Sequence, residues 1–425
     1  MKAFDVIIIG FGKGGKTLAA EFAKRGQKVA VIERSDKMYG GTCINIGCIP
    51  TKTLVHQAKI ASGMVGVTFE EKSEFYRNAI AVKDFVTGIL RNKNYHNLAD
   101  HPNVTVYTGM GSFLSADTVA VRTATEEIVL TSKQIIINTG AETVIPSIEG
   151  VVDNPFMYAS FGSQVTVLES YPELIAREDR DIAASVKETL EKKGIVFKMN
   201  AKVQSVNHTS EKAMVAFTDS QTDEAFELEA DAVLLATGRR PNTKELHLEA
   251  AGVEVDARGA IIVDEYLKTT NPRIRAVGDV KGGLQFTYIS LDDYRIIRED
   301  LFGKAERKTS DRDPVSYSVF IDPPLARIGL NEEEARKQNL DIIVKKLPVM
   351  AIPRAKTLGE TDGLLKAVID KNTGKILGCM LFAPDSSEVI NIVALAMKAG
   401  QDYTFLRDFI FTHPSMSEAL NDLFS

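Results

Sequence analysis

"DVIIIGFGKGGKTLAAEFAKRGQKVAVIER", Asp5–Arg34, is the stretch whose reading decides the fold. Asp5 to Ile9 is a short apolar strand, Gly10-Phe11-Gly12-Lys13-Gly14-Gly15 follows at once, and Lys16 to Lys24 has helical periodicity closed by Gly26. A second apolar strand ends at Glu33. Gly10, Gly12 and Gly15 permit a tight turn and close approach to a pyrophosphate, the helix N-terminus faces the phosphates, and Glu33 suits a ribose hydroxyl. A bare GxGxxG also fits an ordinary glycine turn. With strand, helix, second strand and terminal acid in place, a dinucleotide-binding βαβ unit is the better reading.

Working outward, "IIINTGAET" (Ile135–Thr143) and "AVLLATGRRPN" (Ala232–Asn242) read as apolar strands ending in Thr-Gly. Thr139 and Gly140 thus fall where the chain passes near a ligand or crosses between domains. "TTNPRIRAVGDV" (Thr269–Val280) reads as a strand ending in Gly278-Asp279, with an acid placed either to bond a polyol or to cap the next helix. A chain of 425 residues, 44% apolar, exceeds one core and predicts two or three domains. The 51 basic and 57 acidic residues leave a net charge of -6 without a basic block, so neither nucleic acid nor a membrane is the expected partner. No leader pattern or bilayer-length apolar run is evident, and a cytoplasmic location is expected.

The second informative stretch is "GGTCINIGCIPTK", Gly40–Lys52, which holds two of the three cysteines. Residues five apart on an ideal helix are separated by about 7.5 Å of rise, beyond disulfide reach. A Cys43–Cys48 bridge therefore requires a distorted backbone, which Gly40, Gly41 and Gly47 permit. Pro50 suits the first turn of a following helix, whose N-terminus favours a thiolate. The alternative is half of a zinc site. It lacks a second cysteine pair, and the six histidines have no paired ligand spacing, so no resident metal is expected. Cys379 reads as a small buried hydrophobe.

"GGTCINIGCIPTK", "IIGFGKGG", "ATGRRPN", "AVGDV" and "FTHPSMSEALNDLF" together resemble the FAD-dependent pyridine nucleotide-disulfide oxidoreductases, almost end to end. "GGTCINIGCIPTKTLVH" with "GGLQFTYISLDDYRI" is most similar to the reactive-chlorine-resistance subgroup, with its link to oxidative stress and metal-ion reduction. The resemblance implies that Gly10, Gly12, Gly15 and Glu33 hold the ADP part of FAD and that Asp279 meets its ribityl chain. It also implies that Gly41, Thr42, Gly111, Thr139, Gly140, Gly278 and Thr287 belong to the cofactor site, with Lys52 near the flavin. Cys48 would face the flavin and Cys43 would exchange with substrate, after hydride passes from NADH (or NADPH) to flavin. His413 and Glu418 match the family's acid/base pair, acting on the partner subunit's cysteines, so a homodimer is implied. Alone, a His before a Pro would read as a turn residue.

The expected fold class is α/β, with two Rossmann-like nucleotide-binding domains and a C-terminal α+β dimerisation domain. FAD-binding segments fall at 1–143 and 243–312, the NAD(P)H-binding insert at 144–242, and the dimerisation domain at 313–425. "DSQTDEAFELEAD" reads as a solvated hairpin and "LNEEEARKQ" as an exposed helix.

One departure stands out. The family's insert opens with a second strand, glycine turn and helix, yet here "NPFMYAS" (Asn154–Ser160) runs directly into Phe161-Gly162 and "SQVTVLES". A βαβ unit of about 30 residues has no room there. Either the chain has lost it or the sequence is short of it, and the cost of an uncovered parallel edge favours the second. Glu169 remains at the strand end, where an acid favours NADH. The expected substrate is a small disulfide or a thiol-seeking metal ion such as Cu(II) or Hg(II). The alternative is a non-catalytic or regulatory FAD-binding subunit that has lost its nicotinamide site.

Overall fold

Val29–Glu33 is buried at every position, as is the second half of Lys2–Ile9, and neither strand alternates because helices cover both faces of a parallel sheet. The computed structural model describes residues 1–64, 66–146, 148, 163–208 and 212–425. In chain order the first half consists of β1 (Lys2–Ile9), α1 (Lys13–Lys24), β2 (Val29–Glu33), α2 (Thr42–Asn45), α3 (Cys48–Ser62) and α4 (Phe69–Ala99). Then come β3 (Val104–Thr108), β4 (Met110–Ser115), β5 (Thr118–Arg122), β6 (Glu127–Ile137) and β7 (Ala141–Thr143). The insert supplies β8 (Thr166–Leu168), α5 (Arg180–Lys192), β9 (Val196–Lys198), β10 (Ala201–His208), β11 (Ala213–Asp219) and β12 (Ala225–Ala230). Next are β13 (Arg239–Pro241), β14 (Ile274–Ala276) and α6 (Thr287–Phe302). The C-terminal part holds β15 (Tyr317–Val319), β16 (Leu325–Gly329), α7 (Glu332–Lys337), β17 (Ile342–Pro348), α8 (Pro353–Leu358), β18 (Leu364–Asp370) and β19 (Ile376–Phe382). It closes with α9 (Ser386–Lys398), α10 (Tyr403–Arg407) and α11 (Ala419–Leu423).

These elements form two units, residues 1–57, 74–145 and 236–312 in one, and 58–73, 146–235 and 313–425 in the other. The first is built on a sheet of order β3-β2-β1-β6-β5-β4, with β14 also paired to β6. The C-terminal half of β6 runs parallel to β1 and β14, so Ile9, Ile137 and Ala276 end side by side. Everything that follows these three strands emerges at one sheet edge, where open α/β sheets place their ligands. β7 and β13 pair antiparallel as the two crossovers out of and back into this unit.

The second unit contains a five-stranded antiparallel sheet, β15-β16-β19-β18-β17. On one face, Val389, Ile390 and Val393 of α9 and Leu420 and Leu423 of α11 share a core with Leu365, Ala367 and Leu381. On the other, Ile182 and Val186 of α5 pack with Leu325, Val368, Met380 and Phe382. Cys379 on β19 is fully buried. β11 and β12 form the expected hairpin, joined by β10 into a three-stranded sheet.

Two expectations are corrected in the insert. Ala232–Ala236 does not form a strand, and Leu234 is 55% exposed while Val233 and Leu235 pack beside Val206 and Val215. The Ser163–Ser170 strand shrinks to β8, whose only pairing among the described residues is with β9. An apolar parallel strand needs neighbours on both edges, and the unit expected to precede β8 is lacking. The stretch Asn154–Gly162, where that loss falls, lies outside the described residues.

α7 is the expected exposed helix with a charged face, outward at Glu333, Arg336 and Lys337, but its first turn is tied down. Asn331 and Glu334 form a capping box at its start, and Glu332 reaches the Lys366 ammonium at 2.8 Å. Lys366 is 2% exposed and also meets Asp179 at 2.8 Å and Asp181 at 3.0 Å, at the head of α5. The insert's "REDRD" run is thereby fixed to the C-terminal sheet. Burial pushes the Asp181 carboxyl upward, but the Lys346 and Lys366 ammoniums outweigh it and hold the group below its ordinary range. Lys366 likewise lies above its ordinary value, since the carboxylates outweigh burial, and Glu332 is lowered by its bond to Lys366. Depressed carboxylates contribute stability above their unfolded values near pH 4, lost as pH falls through the folded values; the raised lysine contributes fully below about pH 10. Lys366→Met strands these carboxylates and is expected to cost about 3–5 kcal/mol at pH 7 in urea unfolding. That deficit should shrink below about pH 4, and an unchanged midpoint would show that the cluster carries no net stability.

Candidate active site

The glycine turn after β1 is built by close approach. A Cβ on Gly10, at φ +103°, would lie 2.3 Å from the Asn138 carbonyl oxygen, and one on Gly12 would lie 2.5 Å from Asn138 Oδ1. Asn138 itself donates from its backbone to Ile9 O (2.7 Å) and from Nδ2 to Val277 O (2.8 Å), and it accepts from the Gly15 N–H (2.8 Å). Sequence reading named Thr139 and Gly140 and missed Asn138, whose signal was a polar residue ending the apolar run Ile135–Ile137. Thr139 Oγ1 donates to Asn242 O, and Asn242 N–H to Gly140 O, which ties the two crossovers. Gly111 is buried against Ile9 and Ile32, its virtual Cβ 3.2 Å and 3.3 Å from their methyl carbons, a position set by sheet packing.

Glu33 ends β2 and is 8% exposed. Its carboxylate accepts from Phe11 N–H (3.0 Å) and Ser35 N–H (3.4 Å), and burial nevertheless raises its pKa. α1 begins at Gly12 without a side-chain cap. An uncapped helix N-terminus that donates, glycines that admit no Cβ and a strand-end acid that accepts are what an adenine dinucleotide requires, and the ADP part of FAD fits them.

The cysteine stretch folds against this turn. Gly41, at φ +84°, leads into α2, and its virtual Cβ would meet Gly12 Cα at 2.8 Å. α2 lasts one turn. The Thr42 carbonyl then accepts from both Ile46 (2.9 Å) and Gly47 (2.8 Å), and α3 restarts at Cys48 with Pro50 in its first turn. This break supplies the distortion that a Cys43–Cys48 pairing requires. Both are half-buried thiols, and Cys43 hydrogen-bonds Cys48. That bond pulls the Cys48 thiol down to about 6, against burial and with help from Thr287, whose Oγ1 lies 3.8 Å from Cys48 Sγ at the start of α6. Cys43, holding the shared proton, is pushed up by the same bond and by burial. Tyr288 is raised to about 12 by burial and by the Cys48 charge. Lys52 lies one turn after Cys48 and is exposed.

Asp279 is not a helix cap, because Val277 occupies that position before the 3-10 turn Gly278–Lys281. Its carboxylate instead meets Arg239 Nη1 at 3.1 Å. Burial raises its pKa against the pull of Arg239. Gly278, at φ +73°, donates to the fully buried Asp293 at 2.6 Å.

Two expected site residues belong to the second unit. His413 Nδ1 is 2.9 Å from both carboxylate oxygens of Glu418, which leaves Nε2 as the ring nitrogen able to exchange a proton. Glu169 accepts from the Tyr171 N–H (3.0 Å) and lies near Ser170 Oγ (3.4 Å), so it is engaged in its own turn after β8. Among the described residues there is no cluster of three or more His, Cys, Asp or Glu able to hold a metal, and no helix long and apolar enough to cross a membrane.

The family model described as pyridine nucleotide-disulphide oxidoreductase matches residues 4–158 and 155–293, and that family's dimerisation domain matches 315–424. The chain belongs to the pyridine nucleotide-disulphide oxidoreductases. These enzymes use FAD and NAD(P)H. The chain is 47% identical to the probable pyridine nucleotide-disulfide oxidoreductase RclA of Escherichia coli, over all of this chain and 99% of that protein. It is 31% identical to a mercuric reductase of Lysinibacillus sphaericus, over 98% of this chain and 81% of that one. A solved Cu(II) complex of the HOCl-induced flavoprotein disulfide reductase RclA of E. coli superposes with TM-score 0.92 at 46% identity, covering 100% of this chain and 99% of that one.

The oxidoreductase family model matches in two pieces that meet at 155–158. The RclA alignment spans 456 positions against 425 residues here, so at least 31 positions of it face nothing in this chain. Both findings agree with the loss of one βαβ unit at Asn154–Gly162. No second GxGxxG pattern occurs in the sequence between 144 and 242, and among the described residues the insert has no glycine loop fit for the pyrophosphate of a nicotinamide nucleotide.

The thiol pair has a direct check. In reduced protein, the pH profile of Cys48 alkylation by iodoacetamide should have its midpoint near 6, where the thiolate forms. Cys43→Ala removes the bond that lowers it and should return the midpoint toward about 8.5. A midpoint still near 6 would assign the shift to another group.

Proposed function

We propose that this chain is a cytoplasmic FAD-dependent reductase of disulfides or thiol-seeking metal ions, such as Cu(II) or Hg(II), working through Cys43 and Cys48. The hydrogen bond between the two thiols, with one thiolate formed near pH 6, carries the reading. The mercuric reductase relative and the Cu(II) complex of RclA support the metal-ion class. The division into FAD-binding segments 1–143 and 243–312, insert 144–242 and dimerisation domain 313–425 is part of the same reading. Gly10, Gly12, Gly15, Glu33, Gly41, Thr42, Thr139, Gly140 and Asp279 line the FAD site, and Lys52 and Thr287 flank the Cys48 end. FAD supplies the two-electron store that recharges the cysteine pair.

The exchange step balances in sulfur and electrons between the cysteine pair and the disulfide. Cys43, once deprotonated, attacks one sulfur of a disulfide and expels a thiolate; Cys48 then attacks Cys43 sulfur, forming Cys43–Cys48 and expelling the second thiol. Cys43 starts with the proton, so it needs a base, and the expelled thiolate needs an acid. His413, oriented by Glu418 through Nδ1, fills both roles toward the cysteines of the partner subunit in a homodimer.

The lost βαβ unit favours a second reading, an FAD-binding subunit that no longer accepts electrons from NAD(P)H. The two are separated by comparing donors under anaerobic conditions. His413→Ala should slow oxidation of the reduced dithiol by a small disulfide about 10²–10⁴-fold while leaving dithionite reduction of the flavin intact. Mixed Cys43→Ala and His413→Ala dimers should regain part of the rate, and equal loss in both half-reactions would remove His413 from this role. The 46.6 kDa chain should retain FAD yet be bleached by NADH far more slowly than a chain carrying the corresponding segment of the E. coli relative. Rapid bleaching of the ungrafted chain would mean that the donor binds elsewhere. Inability of the reduced dithiol to turn over disulfide, Hg(II) or Cu(II) would favour the binding subunit.

A further inference from the structure

Lys16 stands in the first turn of α1 (Lys13–Lys24), the glycine turn's helix, and its side chain bonds outside that turn. Its ammonium donates to the carbonyl of Gly40 (3.2 Å) and to Asn94 Oδ1 (2.5 Å). Gly40 lies three residues before Cys43, and Asn94 belongs to α4, its amide fixed in turn by Leu90 O at 2.7 Å. The same polar lattice continues through Asn45. That side chain donates to Tyr39 O (3.0 Å) and Gly41 O (2.9 Å) and accepts from Arg91 at 2.8 Å. α1 and α4 thus hold the short helix bearing Cys43 from one side, with the Lys16 ammonium on the carbonyl three residues before Cys43.

We infer that Lys16 is a positioning residue for the exchange thiol: anchored by Gly40 and Asn94, its fixed positive charge stabilises the thiolate of Cys43 and so governs how readily that sulfur attacks. Among the other groups facing the pair, Thr287 bonds both thiols from α6 and lowers each as a neutral hydroxyl. Asp279 and Tyr288 face Cys48, and the Asp279 charge raises it. Lys16 acts on Cys43 as a cation that lowers it. On the α1 side, Lys13 and Lys16 repel one another while Cys43 attracts Lys16. Burial, then Lys13, brings the Lys16 ammonium down to about 8, and the Cys43 charge opposes the shift. The cation is therefore still mostly present at neutral pH, where it opposes the influences that raise Cys43. Arg91 touches Asn45 and acts on the loop backbone.

This inference rests on the thiol-exchange reading, and its test reads the thiolate alone, so the two fail separately. The holoprotein with Cys48→Ser leaves Cys43 as the sulfur to be followed, and its carboxamidomethylation by iodoacetamide is measured by peptide mass from pH 6 to 10. Adding Lys16→Met should slow Cys43 alkylation about tenfold below pH 8, the change that one pKa unit produces. Lys16→Arg should restore the rate to within about twofold, because it restores charge. Lys16→Gln keeps an N–H donor for Gly40 while dropping the charge, and it should behave as Lys16→Met does even if the methionine variant fails to fold. Unchanged alkylation in Lys16→Gln overturns the proposal. A loss that Lys16→Arg does not correct overturns it as well, since packing rather than charge would then be responsible.

Discussion

One buried side-chain amide holds the site together. The Asn138 side chain ties the end of β6 to the end of β14 through Val277 O and to the first turn of α1 through the Gly15 N–H, while its backbone N–H closes β6 onto β1 at Ile9 O. A buried amide with its donors and acceptors satisfied is directional in a way apolar packing is not. It fixes three chain segments to within hydrogen-bond tolerance of one another. Gly12 has no room for a Cβ because this amide occupies that space, Gly10 because the Asn138 backbone carbonyl does, and Gly41 because Gly12 does. The cysteine stretch is thus registered on the nucleotide turn through contacts that only glycine backbones allow.

What the sequence revealed and what it concealed follow from this arrangement. The nucleotide turn was legible because strand, glycines, helix and Glu33 are contiguous and each obeys a local rule. The cysteine stretch was legible because two cysteines among glycines, in a chain with few cysteines, have few other uses. Asn138, Asn94 and Arg239 were not legible, since each acts on a segment far away in the chain and no periodicity marks it. Gly111 is expected at the cofactor site, and the structure shows the close packing against Ile9 and Ile32 that no local pattern announces. Asp279 was weighed as a polyol ligand or a cap, and its ion pair with Arg239 depends on a crossover strand that no local pattern announces. The apolar run Ala232–Ala236 misled for the opposite reason. Its composition is that of a central parallel strand, but strand formation also requires partners, and the segment that would have paired is missing.

That loss remains local because the rest of the insert is anchored elsewhere. α5 buries Ile182 and Val186 against the C-terminal sheet, and Asp179 and Asp181 at its head meet Lys366 beneath it. A buried ammonium with three carboxylates is costly to assemble and more costly to break, so it specifies one docking geometry. The insert's remaining half is therefore held by the sheet of β16, β18 and β19, independently of the unit that is gone. The sheet within the insert bears the cost: β8 keeps one pairing of three residues with β9, and Leu234 faces solvent.

The consequence for chemistry is a separation of functions that a complete relative would not display. Every contact that sets the thiol pair apart, the Thr42 carbonyl turning the chain, Thr287 beside Cys48, and Lys16 with Asn94 behind Gly40, lies in the first unit. None of them draws on the shortened insert. The pair's asymmetry follows from the same geometry: the first thiolate forms at Cys48, where the Cys43 thiol and the Thr287 hydroxyl can both bond it, and the proton stays on Cys43. A sulfur that keeps its proton is a poor nucleophile until a base or a nearby cation alters that balance. The asymmetry of the pair is thus set within the first unit, whatever becomes of the site where the family binds its electron donor.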